Sequence, residues 1–526
     1  MSRVSSALIV LAPALAIVSS SSRAFAQDVA QQGWNPQAIL RTETYVKPPA
    51  VIERIVMTPR VDISFTNPSP DRTWFVRTPG SDRGDIFEYG APHIYLGGLQ
   101  VDTRANRVRS LTISQHAGIT LVDPKTNATR TIETPKGASI SSPTWSPDGK
   151  QLAYIANTVD ASHIYIADVA SGKSMQLTKT PLLATLVTTI DWTADGKSIA
   201  TVIVPENRGV APTHGKNGVE DGPQVRITDS RALPQVIHAS LLEDPHDKAQ
   251  LKYYTTGQLA LIDVKSKAVK KIGAPAMIQS LDASPEGKYV RVSIMTEPFS
   301  YIVPITNFGS VTQLWDDTGK SIATLATTPL REGGRTAGGD VGPAAARTVA
   351  NAGADSVKRN FSWNPGGAGL VYLQAVGGAA PAGGRGARGG RGGASSAANA
   401  GTTRVVAWAA PFAASDTKVL YEGTSRLTSV AYSADGKTMF VADSGAVFAV
   451  PVADHSKKFN LGRGVTIPAA VPGFGGGRGG AANDSVPGGA LVMKRAANGE
   501  QAVVVSNDSK SVFVTGSHAP GAKWMS

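Results

Sequence analysis

No cysteine occurs anywhere in the 526 residues. Disulfides, thiol nucleophiles and thiolate metal sites are excluded together, so any chemistry rests on other side chains. The pentapeptide G-x-S-x-G, which presents the nucleophile of α/β-type serine hydrolases, is also missing. No stretch carries the sustained apolar period of a long amphipathic helix, and beyond the N-terminus no second long hydrophobic run occurs.

The N-terminus, MSRVSSALIVLAPALAIVSSSSRAFAQ, has a positive start at Arg3, an apolar run from Ala7 to Val18, and Ala24-Phe25-Ala26 before Gln27. This pattern predicts an export signal over residues 1–26, cleaved between Ala26 and Gln27, and a periplasmic or secreted product with no stable membrane span after cleavage. The run is short for a membrane span, with an uncleaved anchor as the alternative. Without a cysteine at the cut, a lipid anchor of the lipoprotein kind is excluded.

What the chain does have is a repeated phrase. In SSPTWSPDGKQLAYIA, Ser141 to Ala156, Pro147 presets φ, Asp148 can hydrogen-bond its own backbone, and Gly149 accepts positive φ, which together make a tight turn. The apolar run that follows predicts a strand buried on both faces. The phrase returns as DWTADGKSIATVI from Asp191, LDASPEGKYVRVSI from Leu281, SWNPGGAGLVYLQA from Ser362 and AYSADGKTMFVAD from Ala431. Weaker copies are NPSPDRTWFVRT from Asn67 and VVSNDSKSVFVTG ending at Gly516. Anchored on Asp71, Asp148, Asp195, Glu286, Gly366, Asp435 and Asp508, the gaps are 77, 47, 91, 80, 69 and 73 residues. A propeller blade takes roughly 40–50 residues, so the longer gaps are a blade plus an insertion, or nearly two blades.

A second module follows the first. HIYIADVASGKSMQLT, His163 to Thr178, is two alternating strands joined at Ser171-Gly172-Lys173, and similar pairs start at Gly118, Gln258 and Val311. The two modules together make a four-stranded antiparallel meander with two apolar faces, which radial stacking buries. The predicted fold is an all-β propeller of about six to eight such blades, in a complete or an incomplete ring, over residues 55–526, after an N-terminal extension at 27–54. A pair of β-sandwiches is the rival, but it does not require seven copies of one phrase.

Lysine and arginine exceed aspartate and glutamate by 12 charges. Much of the excess arginine sits in Gly/Ala-rich segments, of which 377–401 has no aromatic side chain to stack on bases, so flexible insertions at 333–356, 377–401 and 471–486 are expected rather than a nucleic-acid surface. His238, Glu243, Asp244, His246 and Asp247 cluster in HASLLEDPHDKAQLKYY. Their spacing fits neither an H-E-x-x-H helix nor a calcium loop, and Pro245 is expected to break a helix, so a solvated connection between blades is the expectation. His93, His116, His163, His214 and His455 are scattered singly and read as structural. Ser517 and His518 are adjacent and do not make a triad. Trp74, Trp145, Trp192, Trp363 and Tyr432 recur beside the turns, which predicts packing between blades. No residue is assigned as catalytic, metal-binding or cofactor-binding, and no cofactor is expected.

Longer phrases carry a resemblance. YVKPPAVIERIV, PHIYLGGLQVDTRANRV, LLEDPHDKAQLKYYTTGQLALID, EPFSYIVPITNFGSVTQLWDDTGK and TTRVVAWAAPFAASDTKVLYEGTSRLTSVAYSADGK run in this order from Tyr45 onward. They resemble the N-terminal half of the prolyl-oligopeptidase family of serine peptidases, most of all its glutamyl-endopeptidase-like branch. The resemblance implies a propeller that admits peptides to an active site, followed by an α/β-hydrolase domain that holds the catalytic serine, aspartate and histidine. No position here matches that domain's motif, so the expectation is a propeller portion without its hydrolase domain, inactive in proteolysis by itself. Its implied partners are peptides or a separately encoded hydrolase domain; the alternative is a stand-alone periplasmic propeller that binds proteins or peptides, like the Tol-system propellers.

Overall fold

The computed structural model describes residues 41, 48–57, 66–81, 86–113, 115–116, 118–215, 238–332, 358–365, 368–376, 402–424, 427–468, 489–496, 500–506, 508 and 510–515. The predicted signal and its cleavage site at Ala26 and Gln27, the three Gly/Ala-rich insertions, Gly366, Ser517 and His518 lie outside these residues. Helix α1 (Ala50–Met57) belongs to a small compact unit, residues 1–61; a second unit spans 62–526.

The second unit is built from six four-stranded antiparallel sheets, each in simple meander order. The first contains Thr66–Pro68, Phe75–Arg77, Ile119–Val122 and Thr129–Ile132, and the second Ser139–Trp145, Gln151–Asn157, Ser162–Asp168 and Ser174–Gln176. The third contains Asp191–Trp192, Ser198–Ile203, Gly257–Asp263 and Val269–Ala276, and the fourth Ile278–Ala283, Tyr289–Thr296, Gly309–Asp316 and Ser321–Thr328. The fifth contains Lys358–Trp363, Gly369–Val376, Thr402–Ala409 and Thr417–Glu422, and the sixth Val430–Tyr432, Thr438–Asp443, Ala446–Pro451 and Phe459–Arg463. Shorter closing strands follow, including Met493–Arg495 paired with Gln501–Val503. Six of the seven repeat phrases each run into the second strand of one four-stranded sheet and the seventh, at Asp508, lies among the closing strands, so the long gaps are single blades with insertions and the two-blade alternative falls away.

Burial follows the position of a strand in its sheet. The second strands of the second and third sheets, Gln151–Asn157 and Ser198–Ile203, are nearly all buried, whereas the fourth sheet's Tyr289–Thr296 alternates and fourth strands such as Ser174–Gln176 are largely exposed. The two-sided burial expected of the apolar run after each turn thus holds in the second and third sheets and not in the fourth, and each fully buried Leu152 or Ile155 contributes about 1.5–3 kcal/mol relative to exposure. Consecutive sheets share cores. Ile119 and Leu121 of the first pack with Ile140 and Leu152 of the second; Ile164 of the second packs with Ile199 and Ile262 of the third; Val202 of the third packs with Val290 and Val292 of the fourth. Leu314 of the fourth meets Leu370 and Trp408 of the fifth, Val405 meets Val441 of the sixth, and Phe440 meets Leu491 and Val503 of the closing strands. Sheets packed face to face in chain order make a multi-bladed propeller. The closing strands also reach the first sheet, where Arg72 Nη2 donates to the Met493 carbonyl at 2.7 Å.

A meander puts its first and third turns on one face and its middle connection on the other. Among the described residues the first face carries short turns, the longest of them 410–416 and 452–458. The second carries the described parts of the long connections 78–118, 204–256 and 297–308, all between second and third strands.

Candidate functional site

On the tight-turn face the acidic residues are occupied by structure. Ser146 Oγ donates to Asp148 Oδ1 at 2.7 Å and accepts from Gln151 N at 3.0 Å, while Lys150 N donates to the same carboxylate. Thr193 with Asp195, Ser433 with Asp435 and Ser506 with Asp508 repeat the arrangement. The Ser69, Ser433 and Ser506 hydroxyls hold the Asp71, Asp435 and Asp508 carboxyls below the usual range. The outer turns work similarly, with Asp168 accepting from Ser171 N and Asp263 from Ser266 N, each at 2.7 Å.

The opposite face is where polar side chains converge on space. Insertions from the first, third and fourth sheets share a small core of Leu96, Val101, Leu242, Leu251, Phe299 and Phe308. Gly98 N donates to the Ser240 carbonyl and Ile305 N to the Gly97 carbonyl, which stitches the three together. A Cβ at Gly97, whose φ is +59°, would sit 2.7 Å from Ile305 Cγ2, so the close approach requires glycine. Arg208 lies 3.8 Å from the Tyr253 ring centre and donates to the Tyr253 carbonyl.

Within this cap a cavity of about 510 Å³ is lined by Ile94 and Tyr95 of one insertion and by His214, Ser240, Glu243, His246, Asp247 and Gln250 of another. The His214 and His246 rings stack at 3.9 Å. Burial, reinforced by the charges of Asp244 and Glu243, raises the Asp247 carboxyl above its usual range, against a bond from Glu243 N and the nearby His246. His214, which the sequence left as a singly scattered histidine, therefore meets His246 of the cluster. The expected helix break also fails: Pro245 is the first residue of helix α2 (Pro245–Thr255), where its missing N–H costs nothing. Asp244 caps that helix by accepting from Asp247 N at 2.8 Å, and Asp247 in turn accepts from Glu243 N at 2.7 Å. The segment lies inside the third sheet's insertion and does not connect two blades. His238 stands at its start. Among the described residues no group of three histidine, aspartate or glutamate side chains is placed to hold a metal. The cavity presents hydrogen-bonding groups and two carboxylates.

The remaining sequence candidates are structural. Trp145, Trp192, Trp363 and Tyr432 are buried between sheets, and Trp74 lies beneath Arg130. His93 bridges the Ala91 carbonyl and Arg109, and His163 meets Thr178. His455 is in an outer turn, and His116 is in a two-stranded ladder with Gly80.

Sequence reasoning missed a second polar site, at the inner edge of the sheets near the tight turns. Two residues before the turn hydroxyl, the sheets place Asn67, Thr144, Asp191, Asp282 and Ala431, so neighbouring third and fourth sheets carry aspartate at equivalent positions. Asp191 Oδ2 accepts from Ala283 N at 2.7 Å, and Asp282 pairs with Arg291 at 2.5 Å. Arg291 also donates to the Phe361 carbonyl, and Arg495 to the Trp145 carbonyl at 3.3 Å. Burial, with the charge of Asp282, pushes Asp191 up to about 7; burial and the same charge push Glu500 up to about 8. The register of the two aspartates was the available signal.

A model of the dipeptidyl peptidase IV N-terminal region matches residues 99–199, from the first sheet's insertion to the second strand of the third sheet. A probable chloroplastic glutamyl endopeptidase of Oryza sativa subsp. japonica is 30% identical over 340 residues, which cover 62% of this chain and 34% of that protein. Its counterpart from Arabidopsis thaliana is 28% identical over 299 residues, 55% of this chain and 30% of that protein. The propeller is homologous to part of the plant glutamyl endopeptidases. The chain spans about a third of the length of these relatives. Among solved structures, an oligogalacturonate lyase from Vibrio parahaemolyticus is 9% identical, covering 75% of this chain and 84% of that one with a TM-score of 0.35, too low to bear on function. Among the described residues of this glutamyl-endopeptidase-related propeller, no helix is long and apolar enough to cross a membrane.

Proposed function

We propose that this chain is the substrate-gating propeller portion of an exported serine peptidase of the prolyl-oligopeptidase type, related to glutamyl endopeptidases, and that it hydrolyses nothing by itself. The 30% identity to a glutamyl endopeptidase over 340 residues carries this reading. The missing G-x-S-x-G supports the second part of it, and the pattern ending at Ala26 and Gln27 supports export with cleavage there. Peptides and a separately supplied hydrolase domain are the partners. The face bearing the insertions and their cavity is the surface such partners would meet, because the other face is filled by tight turns.

One observation favours a stand-alone binding propeller. The closing strands touch both the sixth sheet, where Ser433 bridges Val503, and the first, through Arg72 and Met493. The test begins with residues 27–526 incubated with a fluorophosphonate probe and glutamyl peptide substrates. No labelling and no cleavage are expected, and stoichiometric labelling of a serine would overturn the proposal. A cooperative thermal transition at monomeric mass would favour the stand-alone module over the peptidase portion.

A further inference from the structure

The two hydrogen bonds of the His93 ring fix its charge. Nδ1 lies 2.8 Å from the Ala91 carbonyl, which can only accept, and Nε2 lies 2.9 Å from Arg109 Nη1, which can only donate. Both bonds form together only on a neutral imidazole, with its proton on Nδ1 and the Nε2 lone pair facing the guanidinium. Arg109 is buried, and its other side-chain bonds also go to uncharged acceptors: Nη1 donates to Gln100 Oε1 at 2.9 Å, and Nη2 to the Glu88 and Tyr89 carbonyls at 2.9 and 2.6 Å. The guanidinium therefore gathers the short helix Ile86–Gly90, the residue before strand Ile94–Leu96, and strand Leu99–Asp102 of the first insertion. A second proton on His93 would set donor against donor and positive charge against positive charge, beside a group that cannot give up its own proton.

We infer that His93 and Arg109 form a proton-sensitive clasp, which fixes the cavity wall at Ile94 and Tyr95 while His93 is neutral and frees it when His93 is protonated. The link to the wall is direct, because the Tyr95 ring meets the His93 ring edge-on with centroids 4.9 Å apart, and Ile94 and Tyr95 both line the cavity. Arg109 and Tyr95 are the titratable side chains in contact with the imidazole; Glu88 lends its carbonyl to Arg109, and its carboxylate acts on Arg107. The clasp belongs to an insertion outside the six four-stranded sheets, so its release is local. The inference holds whether the propeller serves a peptidase or stands alone.

Imidazole ordinarily gains its proton near about pH 6.5, which gives the direction: the clasp is whole above that range and loosens as pH falls through it. The test is hydrogen exchange of the full chain, read by mass spectrometry and corrected for intrinsic rates. From about pH 7.5 to about pH 5, exchange over Glu88–Leu96 is expected to rise on the order of tenfold, the loss of one hydrogen bond to a charged group, while Gln151–Asn157 stays constant. H93Q offers Arg109 an uncharged acceptor at every pH and is expected to abolish the rise. H246Q removes an imidazole of the cavity's stacked pair and is expected to keep it. If H93Q does not fold, the wild-type contrast between the two segments and the H246Q result decide. Constant protection over Glu88–Leu96, a rise shared equally by Gln151–Asn157, the same rise in a folded H93Q, or loss of the rise in H246Q would overturn the clasp.

Discussion

The indole Nε1–H of Trp145 donates to the carbonyl of Asn67 at 2.9 Å, joining the inner strand of the second sheet to that of the first. Trp192 repeats the bond one sheet later, onto the Thr144 carbonyl. Both indoles are buried, so the bond satisfies an N–H that would otherwise be stranded. W145F keeps most of the ring and loses the bond, and is expected to cost about 1–2 kcal/mol in urea unfolding. W145A also leaves a cavity between two sheets and is expected to cost about 3–5 kcal/mol. Equal midpoints for W145F and wild type would show that packing alone joins the sheets.

The turns make a finer prediction. Gly149 and Gly196 have φ of +71° and +68°, and each faces the proline of the preceding sheet's turn. A Cβ at Gly149 would lie 3.3 Å from Pro70 Cδ, whereas one at Gly196 would lie 3.6 Å from Pro147 Cδ. Alanine at either position incurs the left-handed backbone cost of about 1–2 kcal/mol. G149A adds crowding, so its unfolding midpoint is expected to fall below that of G196A. The reverse order would refute proline–glycine packing between turns.

The contrast between these turns and the cap explains what could be read from sequence. Pro147, Asp148 and Gly149 state their geometry within three residues, and the apolar run after them states its burial, so sheets and turns were legible. The meeting of His214 with His246 depends on how distant segments return to one another, which no local pattern records. Pro245 was misread because a proline that interrupts a helix and one that starts it differ only in what precedes; Asp244, a capping residue, was the deciding neighbour. The aspartate register at Asp191 and Asp282 was visible, but it became informative only once the turn hydroxyls aligned the sheets.

That cap is itself testable. Asp244 is the side chain that accepts the Asp247 amide, and D244A is expected to destabilise α2 by about 1 kcal/mol. The effect should be local: faster hydrogen exchange over Pro245–Thr255, with the second sheet's Gln151–Asn157 unchanged. D244N retains an acceptor and should restore most of the protection. Unchanged exchange in D244A would mean that tertiary contacts of Leu251 and Tyr254 hold the helix without its cap.

The two groups of carboxylates oppose each other in their pH dependence. Hydrogen bonds from Ser69, Ser433 and Ser506 depress Asp71, Asp435 and Asp508, so their contribution to stability is present above the unfolded value of about 3.9 and is lost as pH falls through the lower folded values. Asp191 and Glu500 are raised by burial, so the folded protein binds more protons than the unfolded chain. Their contribution is complete below the unfolded value of about 4 and declines as pH climbs through the folded values of about 7 and about 8. The transition temperature is therefore expected to peak in mild acid, at about pH 4–6, well below the isoelectric point near 9.6. E500Q should flatten the decline above the peak and leave the acid limb in place. A transition temperature that climbs steadily from about pH 5 to about pH 9 would mean that Asp191 and Glu500 ionise in the folded protein without cost.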